Sequence, residues 1–378
     1  MNDKTHLEEK LIATIKADGP ISVEQFMETC LGDPEHGYYM GKDPFGRGGD
    51  FITAPEVSQM FGEAIGVWLA TAWLMMGKPE KVNLIELGPG RGTLMVDMLR
   101  AAKVVEEFTE AIEVHMVEMS PALRKAQGEA LKGLPVNISW HQRFEQVPSG
   151  PCLIVANEFF DALAMKQITQ VADSWFERMV ELDENGELVL GLSEQPVAKA
   201  DIPRWAKDAK DGDIAEYSPQ RMAMAERVGA HIKKHGGAGL IVDYGHAMSF
   251  AGDTFQAVHK HKFVDVLHRP GQSDLTSHVD FEALAEGFEA GGASVFGPRT
   301  QRGFLIAMGL REREASLRKN ARARERIMVS RQAERLIGEK QMGNLFKVLA
   351  ITDGTLEEPH PFGLPDEMSG GDKGNDQS

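Results

Sequence analysis

The stretch L-I-E-L-G-P-G-R-G-T-L, Leu84 to Leu94, passes from an apolar run through a glycine-rich turn into a helical pattern. A strand, turn and helix in that order open a parallel α/β unit, with the turn at the end of the sheet where ligands bind. Working outward, apolar strands and amphipathic helices alternate. Val82 to Leu87 precedes Thr93 to Lys103, and Glu113 to Glu118 precedes Pro121 to Lys132. Pro135 to Trp140, Cys152 to Ala156 and, after an interruption, Gly239 to Gly245 continue the series. The final pair, Ala293 to Phe296 and Gly303 to Gly309, is separated by a short polar turn and reads as antiparallel. The pattern predicts an α/β fold, a doubly wound seven-stranded sheet, mostly parallel, with a terminal antiparallel hairpin.

The flanks divide the chain. Residues 1–80 read as an N-terminal helical segment: two short helices over residues 4–31, with Ser22 as an N-cap, a loop rich in Gly, Pro and Asp, and a long apolar helix from Pro55. The core is expected over 81–310, with insertions at 165–195 and 245–280. The first, Gln167 to Leu192, alternates apolar and polar residues around D-E-N-G and reads as a hairpin. The second, Gly245 to Asp280, is too long for a plain connection. A basic helical extension is expected over 311–352, its M-G-N-L-F-K-V-L-A-I returning to the core, and a disordered polar tail over 353–378.

Composition narrows the function. The chain has 378 residues, 42% of them hydrophobic, and a net charge of -16. That charge argues against a nucleic-acid partner, because binding a phosphate backbone requires clustered Lys and Arg. No apolar run is long enough to span a bilayer. Cys30 and Cys152 are far apart in sequence, so neither a disulfide framework nor a CxxC metal site is available. The charged start M-N-D-K-T-H-L-E-E-K lacks a signal peptide's apolar region and, unlike a transit peptide, has no arginine, which leads to the expectation of a cytoplasmic protein.

The turn itself is not decisive. It lacks the Lys-Ser/Thr ending of a triphosphate loop, and Gly88, Gly90 and Gly92 are spaced G-x-G-x-G, one place short of the dinucleotide fingerprint. Two acids decide instead. Glu86 lies inside the apolar strand, where an unpaired carboxylate is costly and calls for a partner such as a ligand ammonium or backbone amides. Glu118 ends the next strand, where a carboxylate can accept both hydroxyls of a ribose. A ligand with a sulfonium, an ammonium and a ribose diol but no phosphate matches this acidic crevice, and S-adenosylmethionine is that ligand. Glu86, Gly88, Gly90, Gly92, Glu118, Met119 and Asn157 are the expected cofactor contacts.

The turn together with V-E-M-S-P-A-L resembles the class I S-adenosylmethionine-dependent methyltransferases, whose Rossmann-like sheet ends in an antiparallel hairpin. G-D-F-I-T-A-P-E-V-S-Q-M-F-G (Gly49 to Gly62), A-N-E-F-F-D-A-L (Ala156 to Leu163), V-D-Y-G (Val242 to Gly245) and P-G-Q-S-D-L-T-S-H-V-D-F (Pro270 to Phe281) resemble the MidA-like family more narrowly. The resemblance spans roughly residues 8 to 352. It implies a protein-arginine methyltransferase linked to assembly of respiratory complex I, with a complex I subunit as the protein substrate. It also places Asp50, Thr53, Pro55 and Glu56 near the cofactor.

Methyl transfer is an in-line displacement, so the protein chiefly positions a nucleophile. In this fold the nucleophile arrives at the end of the fourth strand, which here is Asn157-Glu158-Phe159-Phe160-Asp161. A guanidinium is protonated in water and a poor nucleophile, and paired carboxylates can gather its charge on one side. Glu158 and Asp161 are the candidates, with Asp50 and Glu56 closing from the N-terminal segment. Glu158 and Asp161 could also cap a helix begun by Asn157, and Asp243 could orient substrate or simply end its strand.

His246, His259, His261, His268 and His278 share the second insertion, but no Cys or compact carboxylate spacing completes a ligand set, and no metal is expected. The basic helix after Leu310 reads as a solvated face, and the two insertions read as the surfaces that would recognise a partner. A small-molecule methyltransferase with the same cofactor crevice, and a cofactor-binding assembly factor without catalysis, remain alternatives. The sequence leaves the oligomeric state open.

Overall fold

The computed structural model describes residues 4–41, 53–319 and 321–364. Its centre is a sheet of seven main strands, β1 (Val82–Leu87), β2 (Ile112–Val117), β3 (Asn137–His141), β4 (Cys152–Asn157), β5 (Gly237–His246), β6 (Ser294–Thr300) and β7 (Phe346–Thr352), with a two-residue eighth, Val279–Asp280, paired to the end of β5. The spatial order is β6-β7-β5-β4-β1-β2-β3. β1 to β5 are mutually parallel, and β7 runs antiparallel between β5 and β6. Every residue of β1 and β4 is buried, as expected for central parallel strands covered on both faces. Alternate side chains therefore feed two cores: Leu84, Leu153 and Leu240 on one face, Ile85, Ile154 and Ile241 on the other.

The terminal hairpin differs from the sequence expectation. Gly303 to Ala307 lies in a helix, Gln301–Ala307, opened by the Thr300 hydroxyl, which accepts the Gly303 N–H, and Met308 and Gly309 form the turn after it. The partner of β6 is Phe346–Thr352, inside what was expected to be a helical extension. The core thus extends past 310, and the helices between β6 and β7 are an insertion within its last hairpin. Residues 353–364, expected to belong to a disordered tail, are instead placed against the core. Phe362 is buried near Phe304, and Arg299 donates to the Pro361 carbonyl at 2.8 Å. Residues 365–378 lie outside the described residues.

The N-terminal segment serves two masters. Helices His6–Asp18 and Val23–Gly32, the second opened by a Ser22–Gln25 capping box, bury Leu7, Leu11, Phe26 and Met27 against the insertions. The first insertion is more than a hairpin. Lys166–Val171, Ser174–Leu182, Leu188–Pro196 and Ile214–Tyr217 join Ile21–Ser22 in a five-stranded sheet. The second insertion holds a small sheet of Gln256–His259, Lys262–Val264 and Asp274–Thr276. The expected long helix from Pro55 is broken at Ser58, whose extended backbone separates Ala54–Val57 from Gln59–Met75. The longer piece lies tight on helix Thr93–Ala102, because a Cβ at Gly66 would stand 2.6 Å from the Met98 carbonyl oxygen. The short helix touches both of these helices.

Candidate active site

At the carboxyl ends of β1 and β4 an open crevice of about 390 Å³ is lined by the glycine turn, by Thr53, Pro55 and Glu56 of the short helix, and by Glu86, Asn157 and Glu158. The turn bends through left-handed backbone at Gly88, Gly90 and Gly92 (φ +62°, +51° and +84°). Gly88 has a second constraint, since a Cβ there would meet Phe159 Cδ2 at 2.8 Å. Gly92 stands at the N-cap of the following helix, facing Gln127.

Glu86 is 2% exposed, and one of its carboxylate oxygens, Oε2, has no hydrogen-bond partner among the described residues. Burial first, then the charge of Glu118, hold its carboxyl well above the usual range. Asn157 Oδ1 is likewise buried without a partner. Two bare acceptors at one crevice suit a donor-rich cation such as an α-ammonium, which is the fit S-adenosylmethionine requires. Glu118 is buried just past β2, accepting the Ser120 N–H at 2.8 Å and the Gln127 amide at 3.3 Å. Gln127 also donates to the Gly90 carbonyl at 2.7 Å and accepts from Trp140 Nε1 at 2.9 Å. It therefore ties the acid to the turn, a role that nothing in its local sequence signals. Met119 is 55% exposed and does not line the crevice.

Glu158 lies at the crevice with φ +49°, a strained conformation for a residue with a Cβ. Its Oε1 accepts the Ala54 N–H at 3.2 Å and the Asn157 amide at 3.3 Å. Burial, reinforced by Asp161, pushes its pKa up to about 7. No helix begins at Asn157, so capping does not explain these acids. The segment is instead clasped by Asp243 of β5, whose Oδ2 accepts the N–H groups of Phe159, Phe160 and Asp161 at 3.2, 3.0 and 3.2 Å. Asp243 Oδ1 takes the Tyr244 N–H at 2.9 Å. The role of Asp243 is to shape the loop that carries Glu158.

Asp161 is buried one layer behind. Tyr244 donates its hydroxyl to Asp161 Oδ2 at 2.8 Å, while Oδ1 has no partner among the described residues. Burial pushes the Asp161 carboxyl up, against Tyr244 and Arg221. Arg221, a residue the sequence did not single out, ties this layer together. Its guanidinium donates to the carbonyls of Asp161 (3.0 Å) and His278 (2.8 Å) and to Ser277 Oγ (2.7 Å). Glu56 accepts from Thr93 Oγ1 at 2.6 Å, joining the short helix to the turn. Asp50 lies outside the described residues. Among the described residues no cluster of three His, Cys, Asp or Glu is placed to hold a metal, and no helix is long and apolar enough to cross a membrane.

Residues 64–299 match the family described as "Putative S-adenosyl-L-methionine-dependent methyltransferase". Protein arginine methyltransferase NDUFAF7, mitochondrial, of Xenopus laevis is 35% identical over 90% of this chain and 83% of the relative. The Drosophila melanogaster homolog is 37% identical over 93% and 85%. A crystal structure of a Burkholderia thailandensis protein bound to S-adenosyl-homocysteine superposes with a TM-score of 0.82 at 29% identity, covering 92% of this chain and 91% of that one. The chain belongs to this family and is an S-adenosylmethionine-dependent methyltransferase of class I fold. The expectation of a cytoplasmic location is overturned, because the curated relatives are named as mitochondrial proteins.

Proposed function

We propose that the protein methylates an arginine side chain of a protein substrate, and that this substrate is a subunit of respiratory complex I. The relatives' names and the family resemblance supply the substrate class, and the observation that carries the chemistry is Glu158. A guanidinium, with a pKa above about 12, must lose a proton for methylation to finish. A carboxyl whose pKa is about 7 can hold the cation when ionised and take up that proton. Glu158 is therefore assigned to the acceptor guanidinium, and Asp161, from the layer behind, to holding the Glu158 pKa up where that carboxyl can take the proton. When bound, the cofactor supplies a sulfonium methyl, to which a guanidinium nitrogen bonds as the carbon–sulfur bond breaks. Glu86 and Asn157 would hold its ammonium, Glu118 its ribose diol, and Thr53, Pro55 and Glu56 would border it. Asp50 belongs with this group by sequence.

The test is to incubate the protein with labelled S-adenosylmethionine and the complex I core subunit of its own organism, then map the label by mass spectrometry. Label on arginine, lost in Glu158→Gln, is the expected result. Label on a carboxylate, on lysine or only on a small molecule overturns the assignment.

A further inference from the structure

Helix Ala323–Ile337 is only half used by the fold. Ala333, Leu336 and Ile337 are buried, whereas residues 322–328 are exposed in an unbroken run. Opposite the buried face, Arg324, Ile327, Met328, Arg331 and Arg335 recur at i, i+3, i+4, i+7 and i+11, which places them on one stripe about 16 Å long. Ile327 and Met328 are 57% and 54% exposed in the middle of it. Arg311, Arg313 and Arg318 of the preceding helix are paired with Glu314 or Glu63. Arg324 and Arg331 form no ion pair among the described residues. Residues 311–335 hold nine Lys and Arg against four Glu, in a chain whose net charge is -16.

The stripe leads to the active site. Its helix packs on Ala54–Val57, which carries Pro55 and Glu56, and the Arg335 charge lowers the Glu158 pKa. We propose that this stripe is a docking surface for an acidic, partly apolar segment of the protein substrate, flanking the target residue. The inference rests on the substrate being a protein. The acidic crevice attracts the cationic arginine while the basic stripe attracts the acidic flank, so the two fields fix the direction in which the substrate lies. An anionic membrane is a poorer occupant, because the remaining strongly acidic surface would be repelled by it. This replaces the reading of the helix as a merely solvated face.

The test is fluorescence anisotropy with a labelled amphipathic peptide of Glu residues, with Leu at helical spacing, added to the full chain. The double charge reversal Arg324→Glu with Arg331→Glu is expected to weaken binding about tenfold or more. Raising salt from about 50 to about 300 mM should weaken the wild type toward the variant. Ile327→Ser with Met328→Ser should weaken binding with little change in salt dependence. Calorimetric binding of S-adenosylhomocysteine, unchanged in every variant, shows that the fold is kept. Equal peptide affinity in wild type and charge reversal, or tighter binding to phosphatidylglycerol vesicles than to the peptide, overturns the proposal. Binding is read without methyl transfer, so a failed arginine assignment and a failed docking surface give different results.

Discussion

Replacing Glu158 by Gln should stabilise the protein in alkaline solution while removing most of its activity. The carboxyl titrates at about 7 instead of its usual 4.5, because burial and Asp161 penalise the ionised form. At roughly 1.4 kcal/mol per pKa unit, the ionised side chain costs the cofactor-free fold about 3 kcal/mol. The folded pKa is raised, so the side chain's contribution is fully present below about pH 4.5 and is lost as pH rises through about 7. Glutamine does not titrate, and its carbonyl can still accept the Ala54 N–H. The stability difference between variant and wild type should therefore grow across that window to about 2 to 3 kcal/mol by about pH 8. Urea denaturation at intervals from acid to mildly alkaline pH, without cofactor, measures it. The acid limb of the wild-type kcat/KM profile should fall near pH 7, and the variant should lose about 100-fold or more in kcat. A pH-independent stability difference, a variant less stable than wild type at about pH 8, or transfer retained within about tenfold refutes the assignment.

Glu86→Gln should weaken S-adenosylmethionine binding by about 10- to 100-fold in calorimetry while raising cofactor-free stability, since it removes a buried carboxylate; unchanged affinity would exclude Glu86 from the ammonium site. Gly88→Ala should cost about 1 to 3 kcal/mol through its left-handed backbone and its clash with Phe159, and Phe159→Leu in the same chain should recover only the steric part. Asp243→Asn leaves one acceptor oxygen for four N–H groups and should cost about 2 to 4 kcal/mol by urea denaturation. A loss under about 0.5 kcal/mol would show that the loop carrying Glu158 is held by something else.

The alternation of strands and helices was legible because a parallel sheet buried on both faces demands long apolar runs broken by amphipathic ones. The crevice was legible for a related reason: Glu86 stands inside such a run, where an unpaired carboxylate is costly, and it lines the crevice at the carboxyl ends of β1 and β4. G-F-L-I-A-M-G was misread because a short buried helix and a buried strand share one apolar pattern. The discriminating signal was Thr300, an N-cap three residues before Gly303. F-K-V-L-A-I-T reads only as a generic return because its partner strand lies more than forty residues earlier, a separation no local pattern reports. Gln127 and Arg221 escaped because each sits on a helix whose periodicity explains it without a ligand. Their bonds to Gly90 and to Asp161 join segments distant in sequence.

The position of β7 has a consequence for how the chain is made. β6 has β7 as its neighbour in the sheet, and β7 also covers the outer edge of β5. During synthesis, residues 294–300 therefore emerge well before the strand that secures them, with the helices of 301–345 still to come. Until Thr352 has left the ribosome, β5 presents an open edge and β6 has no place in the sheet, so a chain halted anywhere in that interval is a candidate for edge-to-edge association.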